Sequence, residues 1–189
     1  MYPILPERPA DAAQIDALLD LTFGSERTRK TVYRLREGVN HMKPLAFVVR
    51  DEDSTVLGSI RYWPIQVGET AHPALLLGPL AISPHLAGRG IGRALTFRTL
   101  EIAAEMGHDL VLLVGDYDYY KRFGFVPATP YGFVMPTEKR PERLQVTELR
   151  PGVLGRVSGE IRHAQEENGS VVAMPIQPRR RVRRHAARA

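Results

Sequence analysis

The chain has 189 residues, 43% of them hydrophobic and 25% charged, enough for one domain with a sizeable core. It contains no cysteine, which excludes disulfides, thiolate metal sites and a cysteine nucleophile together. Its net charge of +5 comes from residues 178–189, which hold six arginines and no acid; removing those six charges leaves −1 for residues 1–177.

Such an arginine block is expected to be disordered and solvated, so any nucleic-acid contact would be confined to it. The N-terminus lacks the apolar core of a signal peptide. The longest apolar run, about residues 74–82, is far short of the ~20 residues a membrane helix needs. A cytoplasmic location without membrane contact is therefore expected.

In chain order, residues 1–5 predict a short edge strand that ends at Pro6. Asp11 is the predicted N-cap of a helix carrying Ile15, Leu18, Leu19 and Thr22 or Phe23 at helical spacing, closed by Gly24-Ser25. A second helix is predicted over 28–37. Val32 and Leu35 would face inward, Arg27, Arg29, Lys30, Arg34 and Arg36 outward, and Gly38 would stop it. Residues 45–50 and 56–67 read as strands either side of a polar turn, with Gly58 and Pro64 marking an irregularity or an edge in the second.

Residues 75–82 form an apolar run that reads as a buried strand, broken once by Gly78-Pro79. Proline cannot donate to a ladder, so the strand must bulge or lose a partner there. Gly88, Gly90 and Gly92 follow at every second position. Helical spacing then runs through Ile91, Leu95, Thr99, Ile102 and Met106. Strand, short loop, glycine-rich turn and helix together present outward-facing amides and a closely approachable backbone, a setting for phosphate oxygens. The first helical turn carries Arg89 and Arg93, and no acid appears before Glu101. That charge pattern opposes the helix dipole unless an anion sits there. A P-loop is excluded, because Gly92 is followed by Arg93-Ala94 rather than Lys-Ser/Thr.

Gly107 closes this helix, and residues 110–114 read as a buried strand parallel to 75–82 across the helical crossover. Beyond its carboxyl end, where open sheets bind ligands, come Gly115, Asp116 and the aromatic segment 117–125 with Tyr117, Tyr119, Tyr120, Phe123 and Phe125.

The loop Ala87-Gly88-Arg89-Gly90-Ile91-Gly92 resembles the acetyl-CoA loop of the GNAT superfamily of acyl-CoA-dependent N-acetyltransferases, Arg/Gln-x-x-Gly-x-Gly/Ala, departing from it at Ala87. Tyr120, four residues before Gly124-Phe125, matches the tyrosine of that family's second signature. The resemblance implies an α/β (α+β) fold. This would be a single domain over 1–163, best supported over 2–135, with a mixed central sheet splayed between the fourth and fifth strands and flanked by helices. Residues 164–189 would form a C-terminal extension.

The resemblance further implies that acetyl-CoA is the co-substrate. Its pantetheine would lie along Leu80, Ala81 and Ile82, and its diphosphate on Ala87, Gly88, Arg89, Gly90, Ile91, Gly92 and Arg93, with Tyr119 and Phe123 bordering it. Tyr120 would be the general acid for the leaving thiolate, with Tyr119 as its rival. The first two helices would border the site of a small-molecule, peptide or protein amine. Attack would be direct, in a ternary complex, since no cysteine exists to carry an acetyl group.

Two other classes stay open: a non-catalytic acyl-CoA sensor, and a nucleic-acid-associated module acting through the arginine tail. Asp116 and Asp118 lie near the proposed centre as bases or helix N-caps, with capping favoured for Asp118. Trp63, Tyr33 and Phe23 are candidates to line an acceptor pocket. The six histidines read as surface or loop residues without metal-ligand spacing, so no metal is assigned. No Gly-x-Ser-x-Gly elbow is present. Past Phe125, short strands are expected over 132–135 and 144–149, a helical turn and strand over 153–162, and little packed structure from 165 apart from 171–176.

Overall fold

The computed structural model describes residues 2–136 and 138–164. The arginine block and the segment 171–176 lie outside the described residues. The first strand, β1 (Ile4–Pro6), pairs antiparallel with β2 (Phe47–Arg50). Between them α1 (Ala12–Phe23) turns Ile15, Leu18 and Leu19 onto Val48, Val56 and Ala81.

A 3-10 turn (Ser25–Arg29) and the single-turn α2 (Thr31–Arg34) replace the longer helix expected over 28–37. The break falls at Lys30, whose backbone is extended at φ −69°, ψ 142°. Arg27 is drawn back by its side chain to Asp16 and Asp20 of α1. Its side chain is 11% exposed, so the expected outward arginine is held against the protein.

β3 (Val56–Val67) is interior rather than an edge. β4 (His72–Ile82) runs along one side of it. β2 and β9 (Gly159–His163) share the other, against its first and last thirds. The register passes from Ile60↔Leu80 to Tyr62↔Leu77, so Gly78 and Pro79 both stand opposite Arg61. This is the bulge that the proline demanded; the Gly78–Pro79 peptide is cis.

α3 (Ile91–Glu105) then crosses over to β5 (Leu110–Val114), parallel to β4. Among the described residues that parallel pairing is limited to Leu75↔Val111 and Leu76↔Leu112. Past Leu76, β4 keeps β3 and loses β5, so the mixed sheet splays between its fourth and fifth strands. β5 continues through β8 (Leu144–Glu148) to β6 (Val126–Pro127), and the short β7 (Phe133–Val134) runs parallel to β9. Residues 153–158 hold an isolated bridge, Leu154↔Val157, where a helical turn was expected.

Alternation along β4 and β5 divides the core. Leu75, Leu77, Val111 and Leu113 face α3, whose Leu95, Leu100 and Ala103 cover them. Leu76, Leu110 and Leu112 face the opposite layer with Val67, Phe133 and Val146. Each fully buried leucine or valine contributes roughly 1.5–3 kcal/mol relative to exposure, which is why these two strands read as continuous apolar runs. Tyr62 Oη and Thr99 Oγ1 stand 2.8 Å apart, and Thr99 Oγ1 donates to the Leu95 carbonyl.

Asp11 was expected to cap α1. Its side chain instead accepts from the Arg8 amide at 2.6 Å and forms a buried ion pair with Arg50 of β2. A buried arginine needs a carboxylate more than a helix end needs a cap. His72 departs from the surface reading as well. It opens β4 half-buried, with Nε2 3.7 Å from Asp109.

Candidate functional site

β4 delivers the chain into a 3-10 turn (Pro84–Leu86), and Ala87 leads to the glycine loop. Gly88 and Gly90 both take φ +78°, the left-handed region that side chains disfavour, and Gly90 is the N-cap of α3. Among the described residues the amides of Gly88, Gly90, Ile91, Gly92 and Arg93 make no hydrogen bond, whereas the Arg89 amide donates to Leu86 at 3.3 Å. Nothing stands within 4 Å of a Cβ placed on Gly88 or Gly90. Five amides thus lack a partner at the positive end of a fifteen-residue helix with no acid in its first turn. Arg89 is exposed there, and the Arg93 guanidinium lies 5.6 Å from the Phe97 ring.

α4 (Tyr117–Tyr120) and the 3-10 turn Lys121–Phe123 follow β5 and return toward this loop. Asp116 caps α4 by accepting from the Asp118 amide at 3.0 Å, and Asp118 pairs with Lys121. Capping falls to Asp116, two residues before the expected position. The two carboxylates are therefore engaged in local structure.

Tyr119 and Tyr120 diverge. The Tyr119 hydroxyl oxygen lies 2.7 Å from where a Cβ of Gly92 would be, beside the first turn of α3. The Tyr120 ring lies over Gly115 at the carboxyl end of β5, its Cε2 2.5 Å from a Cβ placed there, and meets Phe125 edge-on at 5.8 Å. Burial, reinforced by Tyr119 and opposed by Arg143, pushes the Tyr120 phenol well above its ordinary value, so it stays protonated. Burial raises Tyr119 too, against the influence of Arg122. Phe123 is buried beneath both tyrosines and meets Phe97 of α3 at 4.9 Å.

Leu80 and Ile82 are half-buried and Ala81 is buried against α1, on the length of β4 that β5 has left. Continuing the β4–β5 register places Gly78 opposite Val114 and Pro79 opposite Gly115. The opening therefore lies between the β4 bulge on one side and Gly115 with Tyr120 on the other.

Sequence reasoning missed what stands at the bulge. Arg36, expected outward, is 9% exposed. Its guanidinium carbon lies 4.5 Å from the Tyr33 ring centroid and 5.7 Å from Trp63, and its Nη2 is 3.3 Å from where a Cβ of Gly78 would stand. Trp63 Nε1 donates to the Gly78 carbonyl at 2.8 Å. Burial lowers the Arg36 guanidinium to about 10, against the raising influence of Tyr33, so it is charged at neutral pH. Arg61 and Glu7 form a double hydrogen bond at 2.8 Å, and His41 lies 3.6 Å from Glu7 and edge-on to Trp63. Burial, partly offset by Glu7, holds His41 below its ordinary value. Phe23 lies under the ammonium of Lys30, 5.3 Å from its ring centroid. A separate cleft of about 480 Å³, bordered by Arg34, Gln66, Met135 and Glu160, includes none of the loop glycines, Tyr119 or Tyr120.

The sequence model of the Acetyltransferase (GNAT) family matches residues 12–125. The uncharacterized N-acetyltransferase YhbS of Escherichia coli (strain K12) is 30% identical over 162 residues, covering 86% of this chain and 96% of the relative. The uncharacterized N-acetyltransferase YjhQ of the same strain is 29% identical over 138 residues, covering 69% and 76%. Among solved structures, Escherichia coli YhbS in complex with CoA superposes with a TM-score of 0.74 at 30% identity, over 86% of this chain and 89% of that one. A GNAT family acetyltransferase from Brucella melitensis in complex with acetyl-CoA gives 0.64 at 26% identity, over 87% and 96%.

Proposed function

Since the chain belongs to the GNAT acetyltransferase family, we propose that it moves the acetyl group of acetyl-CoA to a primary amine by direct attack, within one domain spanning residues 1–163. The observation that carries this reading is the row of unengaged amides at Gly88 and Gly90–Arg93, beside a β4–β5 pairing that ends at Leu76↔Leu112, short of Gly115 and the Tyr120 ring over it. CoA and acetyl-CoA in the two related structures support the choice of co-substrate.

In this scheme the free amides and Arg89 and Arg93 receive the diphosphate. The β4 edge over Leu80, Ala81 and Ile82 supplies the peptide groups that β5 no longer uses, and these pair with the pantetheine amides. Tyr119 and Phe123 wall the coenzyme side. The amine attacks the thioester carbon, the tetrahedral intermediate collapses, and the C–S bonding pair leaves on sulfur. Tyr120 then serves as donor. Its phenol lies above 10 and an ordinary thiol near 8.5, so full proton transfer to the thiolate is uphill by at least ~2 kcal/mol. Its main contribution is a hydrogen bond to the charge developing on sulfur. With Asp116 and Asp118 engaged locally, solvent serves as the base that takes the amine proton.

The test combines two measurements: calorimetric titration with CoA, and CoA release from acetyl-CoA against a panel of amines. Binding with amine-dependent release supports the reading. Tight binding with no release across the panel would favour a sensor.

A further inference from the structure

Three arginines converge beside the β4 bulge, and two are neutralised within the protein. Arg27 pairs with Asp16 and Asp20, and Arg61 with Glu7. Arg36 has no ion-pair partner among the described residues. Its Nε and Nη1 are buried without a hydrogen-bond partner. A guanidinium taken out of water and left unpaired is costly. Its neighbours are the faces of Tyr33 and Trp63, which ease but do not replace a hydrogen-bonded anion. Both aromatic residues are half-buried, so the cluster they form with Arg36 is not sealed from solvent. It stands against Gly78, where β4 parts from β5.

Resting on the acetyltransferase reading, we propose that Arg36 receives the carboxylate of the acceptor, so that the amine acetylated here also bears a carboxylate. The charge favours this group over a phosphate. One uncompensated cation matches a monoanion, whereas a phosphate monoester carries nearly two charges, and neither Arg27 nor Arg61 is free to meet the second. The planar guanidinium suits a planar carboxylate. Trp63 and Tyr33 would hold the carbon skeleton between carboxylate and amine.

Trp63 is the only tryptophan in the sequence and sits 5.7 Å from the Arg36 guanidinium, so its fluorescence reports on this cluster directly. N-acetylglycine and N-acetylglycinamide are titrated at neutral pH and constant ionic strength, alongside CoA calorimetry. The expected result is a saturable change with the acid, none with the amide, and loss of the response in Arg36→Gln with CoA affinity retained. Arg36→Lys, which keeps the charge and loses the fork, retains the fold and weakens the response. In turnover, amino acids exceed their amides in kcat/KM by about tenfold or more, and Arg36→Gln abolishes that ratio. Equal response to acid and amide, or an acid preference that persists in Arg36→Gln, overturns the proposal. If CoA fails to bind while the carboxylate response stands, the acetyltransferase reading falls and the carboxylate site remains.

Discussion

The hydroxyl of Tyr119 occupies the space in which a side chain on Gly92 would begin, 2.7 Å from the ideal Cβ position. Gly92 has no positive φ among the glycines that do, so what excludes a side chain there is this phenol and not the backbone. The glycine loop and the aromatic segment are thereby keyed to each other.

Gly92→Ala is expected to force the Tyr119 phenol aside, at a stability cost of at most about 1–3 kcal/mol from overpacking less the up to ~1 kcal/mol that alanine's helix propensity returns, and to weaken CoA binding. Tyr119→Phe in the same chain removes the clashing oxygen and recovers part of both losses. Denaturant unfolding and CoA titration of the two single variants and the double variant measure this as a coupling energy. Strictly additive effects would contradict it.

Tyr120→Phe is expected to lower kcat by about 10²-fold, the scale of losing one hydrogen-bond donor to developing charge, while CoA affinity holds. Burial raises the phenol above its ordinary value, so the protonated form persists past pH ~10. The kcat profile should therefore show no alkaline fall from Tyr120 up to that pH. An alkaline limb in that range that vanishes in Tyr120→Phe would count against the account.

Asp11→Ala leaves Arg50 buried and unpaired, since both side chains are about 7% exposed in the native protein. A loss of about 3–5 kcal/mol is expected on breaking such a pair, read as a lower denaturant midpoint. A loss near 1 kcal/mol, typical of a missing helix cap, would restore the capping role that the sequence suggested.

Much of this site was legible beforehand because its signals are local. Gly78-Pro79 interrupts an apolar run, glycines repeat at every second position, and helical periodicity starts at Ile91, so strand, bulge, loop and α3 follow from neighbours in sequence. Asp11 and Arg36 were not legible, because what decides each comes from far along the chain. Arg50 lies 39 residues beyond Asp11. Arg36 is buried against Trp63 of β3, and a charged residue on a short helical pattern otherwise defaults to solvent. The helix expected over 28–37 failed for a related reason. Ties from Arg27 to α1 outweigh a weak local propensity. Asp116 and Asp118 differ by two residues on a single-turn helix, too short for periodicity to place its start.

The most direct measurement is calorimetric titration of CoA into the full chain and into Gly90→Val, which forces a β-branched side chain into the left-handed conformation at the head of α3. The account predicts a Kd for the native chain within the ~1 µM–1 mM range usual for substrates, and binding weaker by about tenfold or more in the variant. Absence of heat at millimolar CoA, or equal affinity in both proteins, would contradict the claim that the amides from Gly88 to Arg93 hold the diphosphate.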